Sequence, residues 1–328
     1  MDISLGLYPD TPAASLVDTA RRAERHGLSA VWLADSHLLW REPYVLLGAM
    51  ALATERVRLA TCVTNPVTRH PSVTAAAFVT LAELSGGRAT LGISIGDSAL
   101  RTLGMRPVTV DRLAGCIAEL RALIRGDDAG QGTGIRYADG CRLPIAVAAS
   151  GPRMLALAGA LADEVVLMNG VAPDLVGAAC RLVDDGARQA GRDPAAVRRV
   201  VWAACHMSQD DPARSLDRCR YNVARAILRD LPGNDDPLTL EVAARIRERY
   251  DYAAHGDPGA AFATLVPDAL VPRFTFAGTP ADVRARILEL EALGIDEVAL
   301  AVPRDPDAAG RDRVVECIGA TLVAARGE

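Results

Sequence analysis

The 328-residue sequence predicts an α/β fold, a single (β/α)8 TIM barrel, on three observations. Short apolar, β-rich runs alternate with amphipathic or Ala/Leu-rich stretches along most of the chain, the pattern of a parallel sheet covered by helices. There are eight such strand-then-helix units, the number that closes a barrel. The third strand then ends abruptly in Cys62, Val63, Thr64 and Asn65, with Pro66 and Pro71 beyond. A buried strand that stops in small and polar groups leaves its C-terminal end as a binding surface.

The elements follow in order. A strand over 3–8 leads to a helix over 13–26, where His26 complements the dipole near the C-terminal end. Strand 30–35 precedes helix 43–54. Strand 57–64 precedes helix 71–85, which closes in the tight turn Ser85-Gly86-Gly87-Arg88 on the side away from the rim. Strand 89–95 and helix 110–125 make the fourth unit. Strand 145–149 enters helix 152–162 through Ser150, a natural N-cap, and Pro152, a natural first helical residue. Strand 164–168 pairs with helix 173–190, and strand 199–207 opens the seventh unit. Its helix, 280–293, starts at the capping box Thr279-Pro280-Ala281-Asp282 and stops at Gly294, a left-handed cap. Strand 297–302 and helix 306–325 complete the ring.

The connection 208–279, between strands seven and eight, breaks the rhythm with Asp210-Asp211-Pro212, Pro232 to Pro237 and His255-Gly256-Asp257-Pro258. It is too short to bury a core of its own, so it reads as an inserted pocket wall or lid within one domain spanning 1–328.

Composition removes whole classes of function. Half of the chain is apolar, yet no apolar run approaches the roughly 20 residues that span a bilayer. The N-terminus lacks the basic start and apolar core of a signal peptide, which favours the cytoplasm. Seven scattered cysteines without a CxxC pair suggest neither zinc nor disulfides. A net charge of −5 argues against nucleic acid. All 36 basic residues are arginine, which excludes a Walker-A lysine, a Schiff-base lysine and a lysine base.

Three rim segments carry chemistry. Gly96, ahead of Asp97 and Ser98, lets a ligand approach the backbone after the fourth strand. Ala149, Ser150, Gly151 and Pro152 form a helix entry whose amides can hold an anion. Asp35 and His37 leave the second strand two residues apart, on one face of an extended chain, and are the candidate catalytic pair. The other histidines are scattered, and no metal site is expected.

These segments, with Trp32-Leu33-Ala34-Asp35, Val63-Thr64-Asn65-Pro66, Arg69, Pro71, the stretch from Leu84 to Gly92 and Ala277-Gly278-Thr279-Pro280, resemble the bacterial luciferase-like superfamily. The pattern is most similar to its methylenetetrahydromethanopterin reductase branch, which uses coenzyme F420. The resemblance implies a cofactor ring leaning on a bulge after the third strand, with a non-proline cis peptide at Cys62–Val63. It implies a cofactor phosphate at Ser150-Gly151-Pro152. It also implies contacts to ring and ribityl chain from Asp35, Thr64, Asn65, Gly96, Asp97 and Ser98. Two departures stand out. Gly6 occupies the place of the branch's first-strand acid, and Ser36 that of the histidine after the rim aspartate, with His37 one later. They point away from the namesake substrate.

The expected function is an F420-dependent oxidoreductase moving a hydride between the deazaflavin and a small organic substrate. An FMN-dependent luciferase-like monooxygenase is the alternative, and a non-catalytic cofactor-binding barrel a further one. Either enzyme would draw reduced cofactor from a flavin or F420 reductase. The Ala- and Leu-rich helices over 44–53 and 73–84 carry few charges for an outer ring, which suggests a homodimer.

Overall fold

The computed structural model describes residues 1–128, 134–138, 140–250, 257, 259–303 and 308–323. Nine strands are present among these: β1 Asp2–Leu7, β2 Ala30–Leu33, β3 Arg58–Thr61, β4 Ala89–Ile93, β5 Ile145–Ala149, β6 Glu164–Leu167, β7 Arg198–Met207, β8 Phe276–Gly278 and β9 Glu297–Ala301. Every pairing is parallel. The strands run in ring order from β1 to β7, and β9 closes the barrel between β7 and β1. The short β8 lies outside this eight-stranded ring. It pairs with Cys205–Met207 of β7, beyond the residues that β7 shares with β9.

The helices are α1 Ala13–Arg25, α2 Pro43–Ala53, α3 Pro71–Ser85, α4 Ser98–Arg101, α5 Val110–Ile124, α6 Pro152–Leu161, α7 Pro173–Gln189, α8 Pro212–Ala226, α9 Pro237–Arg247, α10 Val271–Phe274, α11 Pro280–Ala292 and α12 Ala308–Ile318. The capping box expected at Thr279 is formed, with Asp282 and Thr279 bonded reciprocally. The helix expected over 306–325 is described from 308 on, and 306, 307, 324 and 325 lie outside the described residues. So does the turn read at His255–Pro258, apart from Asp257. Among the described residues no helix is long and apolar enough to cross a membrane.

Strand alternation divides the buried side chains into two sets. Leu5, Leu7, Val31, Leu33, Leu59, Leu91, Val147, Val165, Val201 and Leu300 join the core that includes the helix faces, with Phe78 of α3 the largest helix residue. The other set fills the barrel: Trp32, Cys62, Trp202 and a run of alanines at 30, 60, 146, 148, 299 and 301. The two indoles take the volume that small neighbours leave, so the barrel is packed through its middle. The 208–279 connection gathers an apolar cluster of its own around Tyr221, Val242, Ile246, Phe262 and Phe274, rooted on Ala172, Leu175 and Ala204. Length alone had suggested too little surface for that. Helices α8 and α9 supply enough by burying one face each.

The N-terminal end of the barrel is closed by charge. Glu297, fully buried at the start of β9, accepts from Trp32 Nε1 at 2.9 Å and from Arg198 at 3.1 Å, and pairs with Arg58. Arg58 also reaches Glu164 at 3.1 Å, and Arg198 reaches Asp2. Each of these charged groups sits at or beside the first residue of a strand, so the parallel register brings them to one level.

Candidate active site

The opposite end holds a cavity of about 440 Å³. It brings together Asp35, Cys62, Val63, Asn65, Gly96, Asp97, Ser98, Ala149 and Ser150, from the ends of β2, β3, β4 and β5. The Cys62–Val63 peptide is cis. Gly96 has φ of +92°, and a Cβ there would meet the Leu100 side chain at 2.5 Å, so only glycine carries the chain around this corner.

Asp35 is the most tightly held of these groups. Its Oδ2 accepts from Thr64 Oγ1 at 2.8 Å and from Arg69 at 2.9 Å. Thr64 in turn accepts from the Tyr44 hydroxyl at 3.0 Å. The Arg69 guanidinium lies 4.1 Å from the Tyr44 ring centroid and also pairs with Glu42. Arg69 is thereby fixed by a ring face and two carboxylates. The other Asp35 oxygen, Oδ1, is buried and has no hydrogen-bond partner among the described residues.

Several expected contacts are absent from the cavity wall. Asp35 and His37 do not form a pair. Strand β2 ends at Leu33, and the chain then turns, with Leu39 and Trp40 both donating to the Ser36 carbonyl. The alternation that would have put both side chains on one face is lost in that turn. His37 lies off the wall, half-buried, while Trp40 lies on it. Thr64 is fully buried behind Asp35. Gly151 and Pro152 lie behind Ser150, and the N-cap of α6 is Gly151, one residue later than expected. No side chain caps that helix start. Asn65 is spent on its own loop, accepting from the amides of Val67 and Thr68.

The wall also contains groups whose local sequence carried no signal. Tyr8, just past β1, packs against Trp40 and Trp202, with ring centroids 5.2 and 6.3 Å away. Asn222 of α8 donates to the Tyr8 hydroxyl at 3.4 Å. Burial raises the Tyr8 phenol above its ordinary value, opposed by Arg225 and Arg229. Burial also pushes the Cys62 thiol far above the usual thiol range, so it is protonated and a poor nucleophile at neutral pH. Asp97 pairs with Arg101 at 3.1 Å and with Arg225 at 2.9 Å.

Trp202 explains the first departure noted in the sequence. A Cβ on Gly6 would lie 2.6 Å from the Trp202 indole and 2.9 Å from the Ala301 backbone. The volume a first-strand acid would need is filled by the indole of the seventh strand.

Comparison with known proteins gives consistent findings. Residues 2–297 match the luciferase-like monooxygenase family. The chain is 30% identical to a 5,10-methylenetetrahydromethanopterin reductase of Archaeoglobus fulgidus, over 98% of this chain and 99% of that one. It is 30% identical to an F420-dependent glucose-6-phosphate dehydrogenase of Nocardia farcinica, over 84% of this chain and 90% of that one. The solved F420-dependent tetrahydromethanopterin reductase of Methanopyrus kandleri superposes with a TM-score of 0.80 at 25% identity, covering 99% of both chains.

Proposed function

The chain belongs to the luciferase-like monooxygenase family, and from that premise we propose that it is an F420-dependent oxidoreductase acting on a small organic molecule. The observation that carries the reading is the Asp35 carboxylate. One oxygen is committed to Arg69 and Thr64, and the other is buried and unpartnered on a residue that lines the cavity beside Cys62 and Val63. An orphaned carboxylate oxygen is costly unless a ligand donates to it. The N–H and hydroxyl groups of a deazaflavin suit that acceptor. Gly96 and the uncapped start of α6 provide open backbone for a ribityl chain and a phosphate.

When bound, the deazaflavin supplies hydride chemistry at its C5. Cys62, Val63, Asn65, Gly96, Asp97, Ser98 and Ala149 then form its bed, with Ser150, Gly151 and Pro152 at the phosphate. Asp35, held rigid through Arg69, orients it. The proton that must accompany hydride transfer to a polarised bond is held at the Tyr8 hydroxyl, which stands on the cavity wall and is positioned by Asn222. Trp40 and Trp202 keep water from that proton.

The same reading takes 208–279 as a pocket wall within a single domain, because α8 contributes Asn222 and Arg225 to the cavity and the turn after it contributes Arg229. It includes a cytoplasmic homodimer, supported by Val45, Leu52, Val73 and Leu84, which are large, apolar and exposed on α2 and α3. It also includes a separate reductase that regenerates the cofactor. Titration of the purified protein with F420 and with FMN, followed by turnover, tests the core of it. Micromolar F420 binding with weaker FMN binding is expected, whereas FMN binding without F420 binding would overturn it.

A further inference from the structure

We propose that Arg225 and Arg229 form an anion site which fixes a carboxylate or phosphate of the substrate at the barrel mouth, so that the substrate is an organic anion. This rests on the oxidoreductase reading above and names the class of molecule it acts on.

The chain is acidic, with a net charge of −5, yet the cavity is not. Its ionisable wall residues include two carboxylates, Asp35 and Asp97, and three guanidiniums, Arg101, Arg225 and Arg229. Both carboxylates are already matched, Asp35 by Arg69 from behind and Asp97 by Arg101 and Arg225. Among the described residues Arg229 pairs with no carboxylate. Its Nη1 donates to the Met168 carbonyl at 3.2 Å, which uses one of its five donors. Burial, and then the neighbouring Arg225, lower the Arg229 pKa, but a guanidinium keeps its charge throughout the physiological range.

Asp97 compensates Arg225, but the neighbouring Arg229 adds a positive charge that Asp97 does not pair with, and the mutual repulsion of the two guanidiniums is relieved when a further anion binds beside them. Their placement suits a substrate group. Arg225 reaches the loop after β4 through Asp97, and Arg229 reaches the end of β6 through Met168. In an eight-stranded ring β6 stands opposite β2, whose end carries Asp35. Arg229 therefore stands across the mouth from Asp35, Arg225 borders the cofactor bed through Asp97, and Tyr8 lines the same cavity. A planar guanidinium is well shaped for two-point recognition of carboxylate or phosphate.

The cofactor's own phosphate has the same chemistry, and Ser150 lies near the pair, since Asn169, next to Met168, donates to the Ser150 carbonyl at 2.8 Å. The test separates the two sources. Two of the three tryptophans, Trp40 and Trp202, line the cavity, so intrinsic fluorescence reports its occupancy. Inorganic phosphate and malonate are titrated into cofactor-free wild type, Arg225→Met, Arg229→Met and Arg229→Lys, with glycerol as the neutral control. The same titrations follow by calorimetry on protein loaded with F420. Saturable binding of the anions alone is expected, weakened about tenfold or more by either methionine, less by lysine, and persisting with F420 bound. Phosphate binding that disappears once F420 is bound, with Arg229→Met weakening F420 but not its phosphate-free deazaflavin, overturns the assignment to substrate. Absence of anion binding in wild type, or binding unchanged in both methionine variants, removes the site altogether. Failure of wild type to bind F420 would instead sink the oxidoreductase reading, and the cofactor-free titration would still decide the anion site.

Discussion

The two ends of this barrel use the same kinds of charged residue in opposite ways. At the floor, Asp2, Arg58, Glu164, Arg198 and Glu297 neutralise one another around a carboxylate that no solvent reaches. At the mouth, Asp35 keeps one oxygen without a partner and Arg229 keeps most of its donors. The difference lies in what each end can hold besides protein. The floor is filled by Trp32 and mutually paired charges, with Glu164 Oε2 and Arg198 Nε left over among the described residues, whereas the mouth surrounds a cavity of about 440 Å³ that a ligand can enter. Unsatisfied groups are destabilising where nothing can answer them, and useful where a ligand can.

The largest effect on stability is expected at the floor. Glu297→Ala would leave Arg58 and Arg198 short of a buried partner and Trp32 Nε1 without an acceptor. A loss of about 3–5 kcal/mol is expected in urea unfolding, with activity per folded molecule unchanged. By comparison, Arg229→Met at the mouth should change stability by less than about 1 kcal/mol. Equal losses at the two ends would break the comparison.

Next comes the boundary between the two ends, where Gly6 and Trp202 share one space. Gly6→Ala should cost about 1–3 kcal/mol through overpacking, because its Cβ would sit 2.6 Å from the indole. In a Trp202→Ala background, itself destabilised by the lost indole, the same Gly6→Ala change should cost much less. Thermal unfolding of both single variants and the pair measures the coupling, and strict additivity would contradict the shared-volume explanation.

A smaller effect belongs to the mouth itself. Asp35→Asn keeps the shape but gives up the ion pair with Arg69, so cofactor affinity should fall about tenfold, or 1.4 kcal/mol, by fluorescence titration. His37→Ala should leave that affinity unchanged, because the turn at Ser36 takes His37 off the wall.

The smallest effect returns to the floor side. Glu24 accepts from the amides of Glu55, Arg56 and Val57, which hold the entry to β3. Partial burial alone would raise its pKa, but those amides outweigh it and the pKa is lowered. A lowered folded pKa means that its contribution is complete above the unfolded value, about 4.3, and is lost as pH falls through the folded value. Glu24→Gln should therefore flatten the acid limb of a stability-against-pH curve and leave the neutral region parallel to wild type.

Much of the fold was legible because local chemistry repeats it. Strand β5 falls on 145–149 as read, α3 on 71–85, and the Thr279 capping box is where its spacing put it. These depend on periodicity, proline and capping within a few residues. The rim glycine at 96 and the helix entry at 150–152 were legible for the same reason. The Asp35–His37 pair failed because its premise, an extended chain beyond residue 33, was overridden by a turn.

What the sequence determined by itself was the order of elements, the number of units and the segments that end at the rim. Each of those is encoded in neighbouring residues. The tertiary structure alone decided the company those segments keep. Tyr8 meets Trp202 and Asn222 only because the ring closes β9 between β7 and β1 and lays α8 across the mouth. Arg225 and Arg229 face the cavity only because the 208–279 connection packs back on Ala172 and Leu175. Contacts between residues some two hundred positions apart are set by barrel closure and apolar burial, and no local pattern in the chain records them.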